Sequence, residues 1–177
     1  MKFVIVSDTH GNVKNFKKVI NWVNNNNINL ILHCGDIGDP ASLQESLEDF
    51  KGKFFGVLGN MDSIYSNRLE IYNSINNVKI ESKILEIPID NKMIAITHYP
   101  ERAKTLAESG KYDIVFYGHT HKPWEEKVPV KENSRQSRIA CRLVNPGETA
   151  GQLYKPCFAV YDVKKDFLEL KILERLE

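Results

Sequence analysis

No apolar run in the 177 residues approaches the roughly 18 needed to span a bilayer, so no transmembrane anchor is expected. The start, Met1-Lys2-Phe3-Val4-Ile5-Val6-Ser7-Asp8, meets an acidic residue before the apolar core of a secretory signal could form, and a cytoplasmic location is expected. Cysteine is scarce. Cys34, Cys141 and Cys157 are odd in number and form no Cys-x-x-Cys pair, which argues against a disulfide framework and for a reducing compartment. Charge of one sign is missing too: a net charge of +1 gives no global field to hold DNA or RNA, and no local basic patch is prominent. There is no internal repeat, low-complexity linker or domain boundary, so residues 1–177 are expected to form a single domain. At 42% hydrophobic and 27% charged, the chain can fill one core and shows no sign of disorder. The composition leaves the oligomeric state open, and a homo-oligomer is compatible with it.

Several apolar runs each end in polar residues able to bind a ligand. Phe3-Val4-Ile5-Val6 leads into Ser7-Asp8-Thr9-His10, Leu30-Ile31-Leu32-His33 into Cys34-Gly35-Asp36, Phe54 to Leu58 into Gly59-Asn60-Met61-Asp62, and Ile114 to Tyr117 into Gly118-His119-Thr120-His121. Each reads as a buried strand delivering carboxylate, amide or imidazole at its carboxyl end, where open α/β sheets place their ligands. Between the first three runs, Val13, Phe16, Val19, Ile20 and Val23 recur at helical spacing, and Asp39-Pro40 opens a second helix with Leu43, Leu47 and Phe50 on its buried side. Asn24 to Asn27 should stop the first helix. Short β-helix-β connections imply parallel strands.

Ile64, Leu69, Ile71 and Ile75 suggest one short helix between Ser63 and Asn77, followed by a hairpin of Ile84–Ile89 with Met93–Thr97 that ends in His98. Pro100 can start another helix, which Gly110 stops. Trp124–Val130, Ile139–Val144, Cys157–Val163 and Phe167–Leu173 read as a late series of antiparallel strands, with Lys131 to Arg138 as a mobile hairpin tip. The expectation is an α/β fold of two packed sheets flanked by helices.

The candidate ligands are therefore Asp8, His10, Asp36, Asn60, His98, His119 and His121. Oxygen and imidazole donors of this kind suit manganese or nickel, and also iron, zinc or cobalt, better than calcium; a carboxylate shared by two ions is a common binuclear arrangement, and Asp36 is the natural bridge. Asp8 and His10 can face one cleft if Thr9 turns away. Any one of these histidines alone is more often structural, but four of the five in the chain fall at strand-terminal turns. His33 is expected in the core or supporting a ligand, and Asp62 is expected to orient Asn60 or a ligand histidine.

These ordered blocks, Ser7-Asp8-Thr9-His10, Gly35-Asp36, Gly59-Asn60-Met61-Asp62, Thr97-His98 and Gly118-His119-Thr120-His121, resemble the calcineurin-like metallophosphoesterase superfamily, in particular its small single-domain phosphodiesterase branch. The resemblance extends to the Asn145-Pro146-Gly147 turn. It implies a four-layer α/β/β/α sandwich of two mixed sheets flanked by helices. One metal would be held by Asp8, His10, Asp36 and His121, a second by Asp36, Asn60, His98 and His119. It also implies hydrolysis of a small phosphodiester by metal-bound hydroxide. A phosphomonoesterase, and a non-catalytic protein-binding scaffold resembling a retromer subunit, are the alternatives. The chain departs from the family pattern at Met61, where many members have a histidine, at Tyr99, often glycine, and at Glu148, often a small hydroxyl residue.

Overall fold

The computed structural model describes residues 1–62, 67–131 and 140–176. Strands β1 (Lys2–Val6), β2 (Leu30–His33), β3 (Lys53–Val57) and β4 (Val78–Glu81) are parallel neighbours, joined by helices α1 (Val13–Asn25), α2 (Pro40–Ser46) and α3 (Arg68–Asn73). With β10 (Cys157–Asp162) and β11 (Phe167–Ile172) they form a six-stranded sheet ordered β11-β10-β1-β2-β3-β4. The second sheet has the order β5-β6-β7-β9-β8, from β5 (Ile84–Ile89), β6 (Lys92–Thr97), β7 (Ile114–Phe116), β8 (Trp124–Pro129) and β9 (Ala140–Asn145), with α4 (Pro100–Glu108) before β7.

Strand alternation sorts the side chains into three apolar layers. On β1, Val4 and Val6 face Phe16, Val19, Ile20 and Val23 of α1, while Phe3 and Ile5 face the other sheet. Ile94, Ile96, Ile114, Phe116 and Val144 meet them from the second sheet. On that sheet's outer face, Ala95, Val115 and Leu143 pack against Ala103 and Ala107 of α4. The result is the expected four-layer sandwich. Each buried Val, Ile or Phe in these layers contributes about 1.5–3 kcal/mol relative to exposure.

Local chemistry fixes the helix ends. The Asn12 side chain accepts the Asn15 N–H at 3.1 Å, and Asn27 ends the asparagine run in the left-handed region at φ 53°. Asp39 caps α2 through Ser42 N at 3.0 Å, with Pro40 in the first turn.

Three features differ from the sequence reading. Helix α2 stops at Ser46, although Leu47 and Phe50 still enter the same core from the following turn. In α3 the fully buried side chain is Tyr72, while Ile71 is 42% exposed; Ile64 lies outside the described residues, as do residues 132–138 of the expected hairpin tip. The late strands are not uniformly antiparallel: β9 runs parallel to β7 and antiparallel to β8. Apolar β9, with Cys141, Leu143 and Val144 buried, takes the inner place, leaving Trp124-Glu125-Glu126-Lys127 of β8 at the edge.

Among the described residues no helix is long and apolar enough to cross a membrane.

Candidate metal centre

The carboxyl ends of β1, β2 and β3 in one sheet and β6 and β7 in the other open onto the same region. Backbone hydrogen bonds zip their loops together. Asp8 N donates to Gly35 O at 3.0 Å, His10 N to Asp36 O at 2.9 Å and Gly118 N to His98 O at 3.1 Å. Asn145 binds Gly118 O at 2.9 Å and Thr120 Oγ1 at 3.0 Å, bracing the Gly-His-Thr-His turn. Asp8, His10, Asp36, His119 and His121 all adopt left-handed backbone, with φ from 45° to 67°. Such strain in non-glycine residues persists only where surrounding contacts impose it, and it clusters at functional sites. Gly118 serves here by its lack of a side chain, because a Cβ there would lie 2.0 Å from Ser7 Oγ and 2.8 Å from Asp8 Oδ2.

All seven sequence candidates converge. Donor atoms of Asp8, His10 and His121, and of Asp8, Asp36 and His98, lie within 4.8 Å of one another in each group. Asn60 Oδ1 stands 3.0 Å from both His98 Nε2 and His119 Nδ1. Asp36 Oδ1 accepts Met61 N–H at 2.8 Å, whereas its Oδ2 faces His10 Nε2 at 3.9 Å and His98 Nε2 at 3.5 Å, between the two halves of the cluster.

The tautomers follow from the partners. His98 Nδ1 lies 2.8 Å from the Cys34 carbonyl, an acceptor only, so Nδ1 carries the proton and Nε2 presents a lone pair to Asn60 Oδ1 and Asp36 Oδ2. His121 Nδ1 lies 3.1 Å from the Glu148 carboxylate, leaving Nε2 as a lone pair 3.4 Å from Asp8 Oδ1 and 3.3 Å from His10 Nε2. Lone pairs thus point at lone pairs in a space where Asp8 and Asp36 are 0% and 2% exposed. Neither carboxylate has a lysine or arginine partner among the described residues. Burial pushes Asp8 up to about 8, reinforced by the nearby Asp36 and Glu148, and burial also keeps His10 and His98 below the usual imidazole range. Buried carboxylates crowded together without a cationic side chain, beside imidazole nitrogens turned toward them, form a donor set that a divalent cation would complete by displacing any proton Asp8 holds. Donor atoms sharing one ion at bonds of about 2.0–2.2 Å stand about 3–3.5 Å apart, close to the spacings of His98, Asn60, His121 and Asp8.

The remaining residues support this centre. Thr9 turns away from the cleft: its hydroxyl meets His33 Nε2 at 2.9 Å and donates to Ile37 O at 2.8 Å. His33 is fully buried, accepts Gly35 N–H at Nδ1, and is held neutral by that burial, at about 3; it contributes core order. Asp62 acts on backbone rather than on Asn60 or a histidine. It accepts N–H bonds from Ile37, Gly38 and Gly59 at 2.8 to 3.0 Å, tying the β2 and β3 loops together. Glu148 was visible in the sequence only as an odd residue after a turn. Burial opposes its charge, but N–H groups of Tyr154, Gln152 and Leu153 hold its carboxyl below the usual range. At the mouth, the Tyr99 ring sits 5.1 Å from both His98 and His119, narrowing that side, and Met61 is 46% exposed.

A four-layer sandwich with this ligand cluster at its strand ends defines a metallophosphoesterase-type protein. The chain belongs to the calcineurin-like phosphoesterase superfamily, whose domain model matches residues 1–166, and is a metal-dependent phosphoric ester hydrolase. It is 30% identical over 174 residues to phosphodiesterase MJ0936 of Methanocaldococcus jannaschii, covering 96% of this chain and 98% of that protein. It is 24% identical over 143 residues to phosphodiesterase YfcE of Escherichia coli, covering 72% and 73% of the two chains. A solved structure described as a novel archaeal phosphodiesterase superposes with a TM-score of 0.81 at 28% identity, over 97% of this chain and 99% of that one.

Proposed function

We propose that the protein is a cytoplasmic, binuclear phosphodiesterase acting on a small phosphodiester. One divalent transition metal, manganese or nickel foremost, would be held by Asp8, His10, Asp36 and His121, and a second by Asp36, Asn60, His98 and His119. The carrying observation is the convergence of imidazole nitrogens and buried carboxylate oxygens with no lysine or arginine side chain between them among the described residues. Similarity to two proteins named phosphodiesterases supports the diester. No disulfide joins the buried Cys34, Cys141 and Cys157 among the described residues, which accords with a reducing compartment.

When bound, the ions would withdraw charge from the phosphoryl oxygens and supply an ionised water as nucleophile. The protein's own part is orientation and exclusion. The Cys34 carbonyl and the Glu148 carboxylate fix two imidazoles with Nε2 inward, and Asp62 locks the loops carrying Asp36 and Asn60. Tyr99 restricts the approach beside His98 and His119 to a slender substrate. No side chain at position 61 donates a proton to the leaving group.

Purified protein with manganese should hydrolyse aryl phosphodiesters faster than the matching monoesters. Preference for monoesters would replace the diester assignment, and no turnover on either would favour a binding scaffold. Chelated protein should lose activity yet stay folded, because the three apolar layers contain none of the candidate ligands. Its circular dichroism should be unchanged, and metal at about 100 times its dissociation constant should add about 2.7 kcal/mol of stability per site. An unfolded chelated form would make the site structural.

A further inference from the structure

Of the three imidazoles that present Nε2 to the centre, His10, His98 and His121, the last two are oriented by unlike partners. His98 donates to a neutral carbonyl, that of Cys34, whereas His121 donates to a carboxylate, that of Glu148. Glu148 is 0% exposed and has no lysine or arginine partner among the described residues. Its Oε2 receives Gln152 N–H at 2.8 Å as well as His121, and its Oε1 receives Leu153 N–H at 2.6 Å and the N–H of Tyr154. Backbone amides only donate. The carboxylate is therefore pinned by the 152–154 segment and has one remaining role, accepting the His121 proton.

This contact controls a side chain that cannot orient itself. His121 has left-handed backbone at φ 61°, and its Nε2 is 3.3 Å from His10 Nε2, a distance at which the opposite tautomer would turn an N–H toward the ligand cluster. A carboxylate behind an imidazole both selects the tautomer and raises the basicity of the ligating nitrogen. Glu148 also adds negative charge behind the half of the centre that already contains Asp8. The Cys34 carbonyl gives His98 the same tautomer without that charge.

Resting on the binuclear reading above, we propose that Glu148 is a positioning residue that holds His121 as its Nδ1–H tautomer and makes the cation position on Asp8, His10 and His121 the tighter of the two. That position fills first, and the position on Asn60, His98 and His119 fills second. Glutamine at 148 has nearly the same volume but cannot accept from all four donors: an amide NH2 must face either His121 and the Gln152 N–H, or the N–H groups of Leu153 and Tyr154.

The test combines a tautomer measurement with a metal titration. In wild-type, metal-free protein, nitrogen-15 shifts of the His121 ring should show protonated Nδ1 and bare Nε2; a ring protonated at Nε2 overturns the proposal without any variant. Calorimetric titration of wild type with manganese should resolve a tight step and a weaker one. Glu148→Gln should weaken the tight step by about 10- to 100-fold and leave the other within a few-fold. If the variant binds two ions as wild type does, or weakens both steps equally, the role of Glu148 is overturned while the binuclear reading stands. A wild-type protein that binds no divalent ion overturns both. Should Glu148→Gln fail to fold, the wild-type tautomer decides.

Discussion

Asp36→Ala should abolish phosphodiester hydrolysis, lowering turnover by about three orders of magnitude or more, and should sharply reduce occupancy of both cation positions. The expectation comes from the division of labour within one carboxylate. Oδ1 is taken by Met61 N–H, and Oδ2 faces both His10 and His98. Removing it therefore strikes both halves of the centre, whereas removing His119 would strike one. The fold should survive, because the lost hydrogen bond contributes about 1 kcal/mol and Asp8 is relieved of a buried negative neighbour. Elemental analysis and turnover measured on the same sample check this. A variant that keeps two metals per chain and near wild-type rates would remove Asp36 from the bridge.

The second large effect is a gain. The Met61 thioether carries no proton, so an alkoxide leaving group must depart without general-acid help, and rates should fall steeply as leaving-group pKa rises. Aryl diesters should be cleaved readily and alkyl diesters slowly. Met61→His should recover part of the gap, up to the ~10²–10⁴ that general acid catalysis typically supplies, mainly on the poor leaving groups. Position 61 suits the experiment because its backbone is already fixed, with N–H bound to Asp36 and carbonyl bound to Arg68 at 3.2 Å, while its side chain is 46% exposed. A leaving-group series on both proteins, at saturating metal, reads the slope. A flat slope in the native enzyme would mean that another group already delivers the proton.

Much of this candidate centre was legible because its candidate ligands follow apolar runs, and a strand end is a place in the fold as well as in the sequence. Asp8, His10, Asp36, Asn60, His98, His119 and His121 could be picked one by one, and the family pattern joined them. What patterning could not supply was partners. The pattern of β9 shows that it is buried, but only its burial relative to β8 decides which of the two sits beside β7, and so its parallel direction. The supporting roles were hidden for the same reason. Asp62 reaches backbone N–H groups of Ile37 and Gly38 on another loop, and Glu148 reaches back 27 residues to His121. Nothing local marks such long-range hydrogen bonds. A glutamate that follows a Pro-Gly turn and precedes further turn residues was a signal, but equally one for an exposed loop. Tyr72 was missed in favour of Ile71 because a six-residue helix is too short for periodicity to set its phase.

The most direct test of the central claim is a single titration of metal-free protein with manganese, following bound metal and aryl phosphodiester turnover in the same samples. The expected result is saturation at two ions per chain, with turnover appearing only as the second is taken up. Saturation at one ion or none, or full turnover in the presence of excess chelator, would contradict it.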